Sequence, residues 1–250
     1  MRQFGKILFR VVWRIFSNRN IRVKNWLRLM GFKYFHELPK RILVSNGDVV
    51  LHAGCWQIET VRKWSQAVGP EGKVIIIEAN DYSFKLLTQE LELRKDKLNN
   101  VLLIHRAVWN QKARLNLDEA DRPGSHKLRE AHTYYEKNIG KYINSSMVEA
   151  NTIGNILNEN GIRHVDHFHI TINGAEVEAL EGIDKCFLEQ QIRIFVYCET
   201  LIEGTRKPVV YKVVDQLKNY GCKVVYHIHM PKQPNPVFAV LLAPFHLTRT

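Results

Sequence analysis

The sequence predicts an α/β domain, doubly wound around a mainly parallel seven-stranded sheet, with a helical arm at its N-terminus. Three observations point there. From Asp48 onward, short apolar runs alternate with amphipathic helical stretches, the pattern of a parallel sheet covered on both faces. The last two apolar runs are separated only by Met230–Pro236, a link with three prolines. It is too short for a crossover helix and suits an antiparallel hairpin at the end of the sheet. The first 41 residues differ in charge from everything after them.

Of 250 residues, 45% are hydrophobic and 24% charged, enough apolar content for one sizeable core. The net charge is +11, and Met1–Arg41 holds eleven Lys or Arg against the single acid Glu37. The basicity therefore belongs to residues 1–41, read as an arm, and not to the α/β domain of residues 42–250. On a helical wheel Phe4, Ile7, Leu8, Val11, Val12 and Ile15 share one side, and Arg2, Lys6, Arg10 and Arg14 form the opposite stripe. A second short helix is expected over Ile21–Met30, with Trp26 and Leu27 on its apolar side. The arginines interrupt every apolar run, so neither a signal peptide nor a membrane span is expected. The arm suits either attachment of residues 2–30 to an anionic membrane surface or packing on the body with its basic face in solvent. Nucleic acid is not expected as a partner, because no stacking platform or reader motif accompanies the charge. The expectation is a cytoplasmic protein, peripheral on the inner face of a membrane if the arm binds one.

Within the body, strands are expected at Val49–Ala53, Lys73–Glu78, Val101–His105, His167–Thr171, Arg193–Cys198, Lys223–His229 and Val237–Leu242. Helices are expected at Glu59–Val68, Tyr82–Arg94, Thr152–Asn160, Val177–Glu181 and Val209–Tyr220. Asp118–Ser146 breaks the alternation. It is polar, carries Arg122-Pro123-Gly124, and reads as a long loop inserted over the mouth of a pocket. Cys55, Cys186, Cys198 and Cys222 form no C-x-x-C pair and lie at no zinc-ligand spacing, so reduced thiols and no metal site are expected. His227 and His229 share one strand face, but two ligands do not make a metal site. Asn144-Ser145-Ser146 matches a glycosylation acceptor, discounted for want of a secretion signal.

Ligands of a doubly wound sheet bind at the carboxyl ends of its strands, near the point where strand order reverses. The first strand ends in Ala53-Gly54-Cys55-Trp56 and the second in Glu78-Ala79-Asn80. An acid at the second position can accept hydrogen bonds from both ribose hydroxyls of an adenosine cofactor, and Gly54 lets backbone approach a ligand.

Val49–Thr60 resembles the first motif of the FkbM methyltransferases, V-V-D-V-G-A-x-x-G-x-x-T. Ile77-Glu78-Ala79-Asn80 resembles that family's F-E-P-N. Asn100–Val108 resembles its third-strand segment, and Val148–Leu157 resembles V-P-V-T-T-L-D-D-L-L. His169–Gly182 is similar to K-I-D-V-E-G-A-E-x-E-V-L-x-G, and Arg193–Glu199 matches the strand that follows. The resemblance covers roughly Asp48–Pro244. It departs where Leu51 stands for Asp, Ala53 and Gln57 for glycines, His169 for Lys, Thr171 for Asp and Asn173 for Glu.

The resemblance implies a class I methyltransferase-type fold and S-adenosylmethionine as cofactor. It also implies O-methylation of a sugar or related hydroxyl, hence a small-molecule or glycan acceptor. His52, Gly54, Cys55, Glu78, Asn80, Ala107, Thr171 and Asn173 fall at the cofactor positions. Glu176 and His169 are the groups left to take a proton, since Thr171 cannot act as a base and Asn173 carries no charge. The same replacements support a second reading, a catalytically silent domain that binds or scaffolds. A nicotinamide oxidoreductase is disfavoured by the absence of a G-x-G-x-x-G turn.

Overall fold

The computed structural model describes residues 43–135, 140–183, 191–230 and 237–244. The N-terminal arm with its two expected helices, Cys186 and the Met230–Pro236 link lie outside the described residues.

The strands of the main sheet are β1 (Val49–Ala53), β2 (Lys73–Glu78), β3 (Val101–His105), β9 (His167–Ile170), β10 (Arg193–Cys198), β12 (Cys222–Met230) and β13 (Val237–Pro244). Each lies within two residues of its expected bounds. Their spatial order is β12-β13-β10-β9-β1-β2-β3. β1 pairs in parallel with both β2 and β9, while β13 runs antiparallel between β10 and β12. The chain winds outward from β1 to β3 and returns to begin again at β9. The switch point therefore lies between β1 and β9.

Helices α1 (Ile58–Val68), α2 (Asp81–Glu92), α3 (Ile153–Glu159), α4 (Glu176–Glu181) and α5 (Val209–Asn219) link the strands. α2 starts where the Asn80 side chain accepts from Ser83 N at 2.9 Å, and α3 where Thr152 accepts from Asn155 N at 3.2 Å. These side chains satisfy amides that the first turn leaves open. α5 buries Val209, Val210, Val213 and Leu217, one face of the helix.

Alternation along the strands sends Leu51, Ala53, Phe168, Ile170, Ile194 and Val196 into one apolar layer with Ile153, Ile156, Leu180 and α5. The intervening residues face the other way. His52, His169 and Phe195 lie side by side in register across β1, β9 and β10. The α1 residue Trp64 packs on them, its ring 4.4 Å from that of His169 and 6.5 Å from that of His52.

The loop expected over Asp118–Ser146 is instead largely sheet. β4 (Ala107–Val108), β5 (Ala113–Ala120), β6 (Lys127–Leu128) and β8 (Tyr142–Asn151) form a second sheet in the order β4-β8-β5-β6. β5 and β8 run antiparallel from Ala113↔Ala150 to Ala120↔Tyr142. Two-residue strands β7 (Thr133–Tyr134) and β11 (Leu201–Ile202) pair separately. Apolar alternation marks only the base of the hairpin, where Leu115, Leu117, Val148 and Ala150 are buried. Above it the ladder is held by polar cross-strand pairs such as Ser146–Glu119 and Asn144–Glu119, which a hydropathy pattern does not reveal.

Trp64 is fully buried and its Nε1 donates to His52 Nδ1 at 3.2 Å. Trp64→Phe removes the indole volume and leaves that ring nitrogen without its donor. Denaturant titration is expected to show a loss of about 2–4 kcal/mol; an unchanged midpoint would contradict this packing.

Candidate active site

A close backbone approach marks the switch point. Gly54 follows β1 with φ +82°, and a Cβ built there would lie 2.2 Å from the Thr171 carbonyl oxygen. Only glycine allows the ends of β1 and β9 to meet this closely. Gly54 N donates to Ile77 O at 2.9 Å, and Thr171 N donates to Ala53 O at 3.0 Å. The Thr171 hydroxyl donates to Gly54 O at 2.9 Å. His52 Nε2 lies 3.3 Å from Thr171 Oγ1.

These contacts fix proton positions. Trp64 Nε1 can only donate, so His52 Nδ1 accepts, Nε2 carries the proton, and Thr171 receives it while passing its own hydrogen to Gly54 O. Burial lowers the His52 pKa to about 4, which keeps the ring neutral as this chain requires. Thr171 and His52, both expected at a cofactor, thus join the two strand ends through their side chains. His169 is 3% exposed and packs among Trp64, His52 and Phe195 in the layer beneath α1. Burial holds its pKa well below the usual value. The ring, expected to take a proton, lies in the core among these side chains.

At the end of β2, Glu78 is 6% exposed and its Oε1 accepts from Asn80 N at 2.8 Å. Burial pushes its pKa up to about 7, against the backbone amides of Asn80 and Ala79, which lower it. The Asn80 side chain is committed to the α2 cap, so this position contributes its backbone. Cys55 is buried nearby, its thiol raised to about 12 by burial and by the Glu78 charge, which makes it inert as a nucleophile. His105, at the end of β3, stacks on Phe84 at 4.5 Å, and its Nε2 lies 3.1 Å from Ala79 O. Ala107 is buried at the foot of the second sheet in a cluster that includes Ala175, with Ala79 packed against it.

The turn after β9 places Asn173 and Gly174 both at positive φ, +57° and +105°. Glu176 organises this turn. Its Oε1 accepts from Ile172 N at 3.1 Å and its Oε2 from Gly174 N at 2.8 Å. The carboxyl is completely buried and its pKa is raised to about 7 by that burial. Glu176, expected as a proton acceptor, here holds the turn and exposes no surface to solvent. Asn173 Nδ2 donates to Gly124 O at 3.0 Å and His126 O at 2.7 Å. A glutamate, which has no such donor, cannot tie down this segment. A Cβ on Gly124 would lie 2.3 Å from Trp56 Nε1. The segment expected over the pocket mouth thus reaches both the β1 turn, through Trp56, and the β9 turn, through Asn173.

Sequence reading missed Trp56, Gly124, His126, Glu199 and the hydroxyls of Thr133, Tyr135 and Thr200. Among the described residues no three His, Cys, Asp or Glu side chains group as a metal site.

One reversed strand beside six parallel ones, a glycine turn at the switch point and an acid ending β2 define a class I methyltransferase-type domain. The chain belongs to the FkbM methyltransferase family: the family's model, described as "Methyltransferase FkbM domain", matches residues 48–224. Among solved structures, methyltransferase FkbM from Methylobacillus flagellatus KT aligns over 83% of this chain at 11% identity with a TM-score of 0.55. This chain spans 46% of that one. Aeropyrum pernix fibrillarin, solved with natively bound S-adenosyl-L-methionine, aligns over 85% of this chain and 71% of its own at 13% identity and TM-score 0.51. M. capricolum TrmK in complex with S-adenosyl-homocysteine aligns over 84% and 70% at 8% identity and TM-score 0.50. Likeness at these identities establishes the fold. No curated protein matches the chain by sequence.

Two outcomes follow from the strand-end geometry. Gly54→Ala forces a Cβ into the Thr171 carbonyl at positive φ and is expected to destabilise by about 3 kcal/mol or more; a variant as stable as wild type would contradict the close approach. Asn173→Asp keeps the shape but removes both donors. Amide exchange at residues 124–126 is expected to accelerate at least tenfold, and unchanged exchange would show that Asn173 does not hold the segment.

Proposed function

We propose that the protein binds S-adenosylmethionine at the carboxyl ends of β1 and β2 and methylates a hydroxyl of a sugar or related small acceptor. The observation that carries this reading is Glu78, a buried carboxyl at the end of β2, one strand across from the glycine turn of β1. A carboxylate there suits the two ribose hydroxyls, and its amide partners Ala79 and Asn80 fix its orientation. The Gly54–Trp56 backbone would face the amino-acid tail, with Ala79 and the Phe84–His105 stack on the adenine side. The cofactor supplies a methyl group on a positively charged sulfur. The protein's part is to position that group and the acceptor in line and to exclude water.

The second reading, a domain that binds without turnover, is favoured by what became of the replaced residues. Thr171 and Asn173 spend their side chains on joining segments together, and Glu176 is sealed. Calorimetric titration separates the readings from a loss of binding. S-adenosylhomocysteine binding is expected, and Glu78→Gln should weaken it by about 1.5–3 kcal/mol, roughly 10- to 150-fold. Affinity for wild type should rise between pH 6 and 8. Ribose hydroxyls donate to the ionised carboxyl, and a group with a pKa near 7 must lose its proton for that. A pH-independent affinity would argue that no ribose meets Glu78.

We further propose that residues 2–30 attach the protein to anionic membrane surfaces. Opposed apolar and basic faces and the +10 charge of residues 1–41 support this. No described helix is long and apolar enough to cross a membrane. Sedimentation with phosphatidylserine vesicles should rise with anionic lipid and fall as salt shortens screening below about 8 Å. Equal binding to neutral vesicles, or none to either, would end this reading.

A further inference from the structure

Beside the turn after β9 lies a group of hydroxyls that the described fold leaves unused. β7 and β11 pair as Leu201↔Tyr134 and Ile202↔Thr133. Thr133 lies in this ladder, and Tyr135 and Thr200 adjoin it at one end, just after β7 and just before β11. The hydroxyls of all three are buried and find no hydrogen-bond partner among the described residues. Thr133 Oγ1 and Thr200 Oγ1 converge on Gly174: a Cβ there would lie 2.1 Å from the first and 3.0 Å from the second. Gly174 belongs to the turn that closes the switch point. The group therefore adjoins the cofactor end of the sheet.

Two carboxyls and one ammonium border it. Tyr135 lies within reach of the charges of Glu176 and Glu199 and of the Tyr197 phenol. Tyr197 donates to Glu199 Oε1 at 2.6 Å, and the other Glu199 oxygen accepts nothing from the described residues. One cation, Lys127, gives a hydrogen bond to the Thr133 carbonyl and is influenced by Glu203 and Asp118. Unpaired hydroxyls beside two carboxyls attract neutral hydroxyl groups and repel anions. Each buried unpaired hydroxyl costs stability in the free protein, and such a cost is expected where a ligand supplies the missing partners.

We propose that Thr133, Tyr135, Thr200 and Glu199 form a subsite for the hydroxyl groups of an uncharged polyol acceptor, reached when the two-residue β7–β11 ladder opens. This rests on the methyl-transfer reading for the purpose of the site, but not for the binding chemistry. The test uses the full chain and saturation-transfer NMR with methyl α-D-glucopyranoside, methyl α-D-mannopyranoside and methyl α-L-rhamnopyranoside, with glucose 6-phosphate and glucuronate as charged counterparts. At least one neutral glycoside should bind, and the charged sugars more weakly. Tyr135→Phe, Thr133→Val, Thr200→Val and Glu199→Gln should each weaken it five-fold or more, while S-adenosylhomocysteine affinity moves less than two-fold. The Phe and Val variants should melt no lower than wild type, since they remove hydroxyls that pair with nothing. No glycoside binding, preference for the charged sugars, or unaffected variants each overturn the proposal. Lowered melting temperatures with unchanged glycoside binding would show instead that an internal water satisfies the hydroxyls, which also overturns it. Glycoside binding by a protein that ignores S-adenosylhomocysteine would leave the subsite standing and remove the methyl-transfer reading.

Discussion

The close approach of Gly54 to the Thr171 carbonyl governs the functional end of this protein. It brings β1 and β9 into contact just beyond their last paired residues, at the place where the winding order reverses. Everything else at that end is fitted around it. The Trp64–His52–Thr171–Gly54 chain sets the contact from the α1 side. The Glu176 carboxyl sets it from the far side by holding Ile172 and Gly174. Because each link is a buried or part-buried hydrogen bond with a single workable direction, the turn is held in place from within the protein. Pre-organisation of this kind lowers the ordering cost that binding would otherwise carry.

Residues that depart from the family pattern have a physical account here. Where the family places an acid after its fourth strand, Thr171 supplies a hydroxyl that can both donate and accept, which an ionised carboxylate cannot. Where the family places Glu, Asn173 supplies an amide with two hydrogens for the carbonyls of Gly124 and His126. Asn also tolerates the left-handed backbone at this position better than most residues. These exchanges trade charge at the strand ends for connections between the main sheet and the insertion. On the proposed reading, Glu78 and Glu199 are the carboxyls left to take part in binding.

Much of this was legible in the sequence, for reasons that differ by element. The parallel strands were readable because strands buried on both faces are nearly continuous apolar runs, such as Val74–Ile77. The β5–β8 hairpin was not, because above Leu117 its stability comes from cross-strand polar pairs with no apolar period. At the site, Gly54 and Glu78 could be found because position alone, at the end of a strand, suggests their use. His169 and Glu176 could not be judged that way. Whether a titratable side chain faces a ligand or the interior depends on which neighbours surround it, here three aromatic rings in one case and two backbone amides in the other. The hydroxyls of Thr133, Tyr135 and Thr200 are brought together by the short β7–β11 pairing, which links residues some 70 positions apart and leaves no local trace.

The most direct measurement is a crystal structure with S-adenosylhomocysteine bound. The account predicts both ribose hydroxyls on the Glu78 carboxyl, the ligand's tail along the Gly54–Trp56 turn, and the Gly54–Thr171 contact unchanged. A ligand bound elsewhere, or one that reaches Glu78 only after the ends of β1 and β9 have separated, would contradict it.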